Sequence, residues 1–100
     1  MSNNPEDILE NRIQRGSDAA RILEEPLLVH VLQVMEKDLL NLVSSLPPSD
    51  YEGRDVYWRE LGALASFRAK LRKYVLSGKE AELTLMQRFK KSTVDKIKRA

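Results

Sequence analysis

Leu28, Leu32, Met35, Leu39, Leu42 and Leu46 recur at intervals of four, three, four, three and four residues. That spacing lines six large apolar side chains along one seam of a helix, predicted over residues 26–46 and roughly 30 Å long at 1.5 Å per residue. Leu27, Val31 and Val34 widen the apolar surface to one side of the seam, and Leu40 and Val43 widen it to the other. A helix this broadly apolar does not suit one partner and water. It should be the central element.

Pro47-Pro48 stops it. Ser49 and Glu52 then have the spacing of a capping box, with Ser49 as the cap. A helix is predicted from about Asp50 to Ser77, closed by Gly78 in a left-handed C-cap. Its seam is Tyr57, Leu61, Leu64, Leu71 and Val75, with Phe67 and Tyr74 beside it. Gly62, Ser66 and Ala69 form a strip of small side chains that lets another backbone approach. The short connection makes the two long helices antiparallel neighbours. Tyr57 is expected in the core and Trp58 nearer to water.

The two ends are less regular. Asn4 caps a first helix with Pro5 at its first position and Glu6 and Asp7 in its first turn. Gly16-Ser17-Asp18 reads as the end of one short helix and the cap of another. Pro26 forces a new start near Glu25. After Gly78, Leu83, Met86, Phe89, Val94 and Ile97 outline a last helix, interrupted by Lys90 and expected to be ordered when packed on a neighbour. The fold class is therefore all-α. A long antiparallel helical hairpin (17–78) carries a short N-terminal helix or arm (1–16) and a basic C-terminal helix or tail (79–100). The central helix has more apolar surface than a hairpin covers, so either the first helix folds back or a second copy supplies the wall.

Composition narrows the chemistry. The 100 residues include no cysteine and one histidine, which excludes disulfides, thiolate metal sites and cysteine nucleophiles and leaves His30 without a companion ligand. The acidic pairs Glu24-Glu25 and Glu36/Asp38 diverge on a helix. The four glycines are scattered, with no phosphate-binding loop. No catalytic constellation, metal site or cofactor motif emerges, so an enzyme is the least favoured class. Apolar runs such as residues 27–29 are far too short to span a bilayer, and the polar start is unlike a secretory signal. No membrane partner is expected.

Charge is uneven. Residues 1–50 carry nine acids and four bases, net −5, whereas residues 51–100 carry six acids and thirteen bases, net +7. A cationic end complements a helix dipole and makes a solvated face. The sharper reading makes Arg68, Arg72, Lys73, Arg88, Lys90, Lys91, Lys96, Lys98 and Arg99 a contact surface for nucleic acid or an acidic partner. The apolar set Leu27, Val31, Val34, Leu40 and Val43, with Gly62, Ser66 and Ala69, is the candidate oligomer or partner interface.

The stretches Glu25-Pro26-Leu27-Leu28, Ser45-Leu46-Pro47-Pro48-Ser49-Asp50-Tyr51-Glu52-Gly53-Arg54 and Leu71-Arg72-Lys73-Tyr74-Val75-Leu76-Ser77-Gly78-Lys79-Glu80-Ala81 resemble small helical-hairpin proteins of tailed bacteriophages. Those proteins are encoded in virion or packaging gene regions. The likeness spans residues 17–81 and rests on structural punctuation, with no catalytic residues to carry over. It implies a non-enzymatic protein that acts by helical self-association and docking in particle assembly or DNA packaging, in the host cytoplasm or the virion. A nucleic-acid-binding regulator and an inhibitor of a host protein are the alternatives.

Overall fold

The computed structural model describes residues 4–99, with side chains as far as Lys98. These residues form three α-helices: α1 (Pro5–Glu24), α2 (Pro26–Ser45) and α3 (Tyr51–Arg99). α1 and α2 each pack against α3, which enters two compact units: α1 as far as Ala20 with α3 from Arg72 onward, and residues 21–71.

Each helix start has a local cause. Asn4 Oδ1 accepts from the Glu6 amide at 3.0 Å, and Pro5 follows at a position that needs no amide donor. Between α1 and α2 only Glu25 leaves the helical conformation. Its carboxylate accepts from the Leu27 amide while Pro26 occupies the first turn. α2 ends because Pro47 drives Leu46 into the extended region. At the start of α3 the capping residue is Asp50, not the predicted Ser49. Asp50 Oδ1 accepts from the Gly53 amide at 2.9 Å, because the turn that returns the Asp50 amide to the Pro47 carbonyl sets the cap one residue later.

In the first unit the structure corrects three expectations. The N-terminal element is a full 20-residue helix rather than a short arm, and Gly16-Ser17-Asp18 does not interrupt it. Gly78 does not end a helix, since no described glycine has a positive φ and α3 continues to Arg99. The basic segment is therefore the end of α3 and not a separate helix. Both glycines serve the same contact instead. A Cβ on Gly16 would lie 2.8 Å from the Tyr74 carbonyl oxygen and 3.0 Å from Gly78 Cα. A Cβ on Gly78 would lie 3.1 Å from Gly16 Cα and from the Arg12 carbonyl oxygen. Two backbones touch where neither has a side chain. Ala19 and Ala81, both buried, flank this approach with the smallest side chains available. Arg12 closes its edge, donating from Nε to Ser77 Oγ at 2.9 Å and from Nη2 to the Ser77 carbonyl at 3.1 Å, with Glu80 3.6 Å away.

In the second unit α2 runs antiparallel to the first part of α3 across the 46–50 connection. Leu32 and Leu39 are buried, and Leu28, Val43 and Leu46 are half-buried. The line continues through Glu36 rather than Met35. Glu36 Oε2 accepts from Arg68 Nη1 at 2.6 Å, so one turn of the seam is polar and Met35 is turned outward. From α3 the half-buried side chains are Arg54, Tyr57, Leu61, Leu64, Arg68 and Leu71.

Candidate helical interface

What the helices leave uncovered is the main chemical feature of the chain. Among the described residues only five apolar side chains are buried: Leu9, Ala19, Leu32, Leu39 and Ala81. The accessible surface is 8175 Å².

In the second unit helical register sorts the exposed apolar residues into two faces. Like flanks of antiparallel helices meet, so each side of the buried line is shared by α2 and α3. On one side lie Val31, Met35 and Leu42 of α2 with Val56 and Phe67 of α3, all between 42 and 49% exposed. Leu27 and Val34 continue this side, and Leu27 is 67% exposed. The acids Asp38 and Glu60, both exposed, fall on the same side. On the other side are Val29 and Leu40 of α2, with Trp58, Gly62 and Ala69 of α3.

The candidate interface residues named from sequence are thus divided. Leu27, Val31 and Val34 belong to the first face, and Leu40, Gly62 and Ala69 to the second. Ser66 points further from α2, and Val43 is half-buried toward α3. A Cβ on Gly62 would meet nothing within 4 Å, so the close backbone approach inside this chain belongs to Gly16 and Gly78. Met35 and Leu42, assigned by spacing to the seam, lie instead on the first exposed face. The signal for this was the drift of a true helix away from a strict seven-residue repeat. Trp58 is 55% exposed and Tyr57 half-buried, as expected.

In the first unit, every residue from 86 to 98 is exposed. Met86, Phe89 and Ile97 share one stripe with Lys90 and Thr93, and Leu83 and Val94 border it. Phe89 is 74% exposed. Helical register continues this stripe from Val75, Lys79 and Glu82, which line a recess with Ile13, Gly16 and Ser17 of α1. Arg88, Lys91, Ser92, Asp95 and Lys96 line a shallow polar recess away from it. The named cations Arg88, Lys90, Lys91, Lys96 and Lys98 all reach solvent here, as do Arg72 and Lys73 earlier in α3. Arg68 is committed to Glu36, and the side chain of Arg99 lies outside the described residues. Arg15 sits over the Tyr74 ring at 5.7 Å.

His30 is exposed near the start of α2. No three His, Asp or Glu residues among those described gather as a metal site. No helix of the described residues is long and apolar enough to cross a membrane. Compared with family models, curated proteins and solved structures, the chain matches none.

Proposed function

We propose that this chain is a non-enzymatic protein that works by helical self-association and docking, in particle assembly or DNA packaging of a tailed phage. One observation carries the self-association: among the described residues five apolar side chains are buried, while large apolar ones such as Val31, Met35, Leu42, Val56 and Phe67 stand exposed together on α2 and α3. A stable protein–protein interface buries about 800 Å² on each partner, and association with further copies would cover these faces. The phage setting rests on the resemblance of residues 17–81 alone, and it predicts a gene lying among head and packaging genes.

Light scattering behind a sizing column tests the association. At tens of micromolar the mass should exceed the 11.5 kDa of one chain, and Val31→Glu should lower it. A clean monomer, unchanged by Val31→Glu or Leu40→Glu, would overturn the reading. A second reading, nucleic-acid binding, is favoured by the exposed cations of residues 88–98. Phosphate contact would show as affinity that falls steeply with salt, less steeply after Lys90, Lys91, Lys96 and Lys98 become alanine. No binding to DNA or RNA at low salt would end it.

A further inference from the structure

We infer that the exposed end of α3 from one copy docks into the apolar face between α2 and α3 of a second copy, joining chains head to tail. This inference rests on the self-association just proposed and names its two surfaces. Charge decides between the available pairings. The receiving face presents Val31, Met35, Leu42, Val56 and Phe67 with two exposed acids, Asp38 and Glu60. Turned onto its own copy, this face would bring four carboxylates together, an arrangement that like-charge repulsion opposes. The end of α3 offers the opposite chemistry. Its stripe of Met86, Phe89 and Ile97 contains Lys90 and is edged by Lys96, a basic amphipathic helix of the kind that lies in an apolar groove. Two such ends placed together would again oppose like charges.

The sizes also agree. Residues 86–98 span about 20 Å at 1.5 Å per residue, within the roughly 30 Å of the 20-residue α2. A third helix in the groove would cover Val31, Met35 and Leu42, which the α2–α3 pair leaves exposed. Each copy gives one helix and receives one, so the contact is heterologous and extends unless its rotation closes.

Two charge-reversed variants test this. The first carries Asp38→Lys and Glu60→Lys, and the second carries Lys90→Glu and Lys96→Glu. Each alone should associate at least roughly tenfold more weakly than the natural chain. An equimolar mixture should regain assembly, because each groove then meets an end of opposite sign. Single cysteines at Met35 and Thr93, placed on separate copies of the cysteine-free chain, should form the mixed disulfide in preference to either symmetric one.

Three outcomes would overturn the inference. If the Lys90→Glu, Lys96→Glu variant assembles like the natural chain, the end of α3 is not the donor, although self-association stands. A dominant Met35→Cys homodimer would replace head-to-tail docking with a symmetric face-to-face pair. A natural chain that stays monomeric removes both this inference and the reading beneath it.

Discussion

The contact between Gly16 and Gly78 can be tested by adding one methyl group at a time. At Gly62 a new Cβ meets nothing within 4 Å, so Gly62→Ala gains only the helix preference of alanine, about 1 kcal/mol. At Gly16 the same methyl lands 2.8 Å from a backbone carbonyl oxygen and 3.0 Å from a backbone Cα. Neither atom can swing aside as a side chain would, so the helices must part by about half an ångström to restore ordinary contact. Overpacking of this kind costs about 1–3 kcal/mol, which exceeds or cancels the propensity gain. Gly78, with nearest atoms at 3.1 Å, should fall between the two. The expected stability order is Gly62→Ala, then the natural chain, then Gly78→Ala, then Gly16→Ala. The extremes should differ by the overpacking cost itself, about 1–3 kcal/mol. Urea unfolding at one fixed protein concentration reads this order, and fixing the concentration matters because association itself stabilises. If Gly16→Ala stabilised the chain as much as Gly62→Ala does, the close backbone approach would be refuted.

Two further predictions concern the Asp50 cap and the Glu36–Arg68 pair. Asp50→Ala removes the acceptor of the Gly53 amide and should cost about 1 kcal/mol, visible as faster hydrogen exchange in the first turn of α3. Asp50→Asn, which keeps an acceptor, should lose only part of that. In a double-mutant cycle Glu36→Ala and Arg68→Ala should couple by roughly 1 kcal/mol or less, because the two side chains are 44 and 23% exposed. A coupling of several kcal/mol would mean that this turn of the seam is far drier than its exposure indicates.

Much of the fold was legible in sequence because its causes are local. Asn4-Pro5, Glu25-Pro26 and Pro47-Pro48 act through φ restriction and missing amide donors, which do not depend on the rest of the molecule. The periodic leucines of α2 likewise identify a helix whatever it packs on. Gly16 and Gly78 differ from expectation for the complementary reason. Taken alone a glycine signals a break, and only a second helix brought against it turns the missing side chain into a packing feature. The Glu36–Arg68 pair is similar. Spacing favoured Met35 in the seam, and nothing near Glu36 in sequence announces a cation 32 residues away. For the interface, sequence identified the surplus of apolar residues. It could not sort them by side, because that needs the antiparallel partner as a reference. Neither did it single out Asp38 and Glu60, which gain their meaning only from the face they share.

The end of α3 also bears on how an array of these chains would be limited. Five cations between Arg88 and Lys98 stand exposed along a stretch of α3 in which every residue from 86 to 98 is exposed, so a trypsin-like protease finds its preferred sites there first. A molecule clipped at Lys90 or Lys91 keeps its receptive groove but loses the peg it would offer onward. Such a molecule can still be added to a growing row and then stops it, so the extent of trimming would set the length of the row.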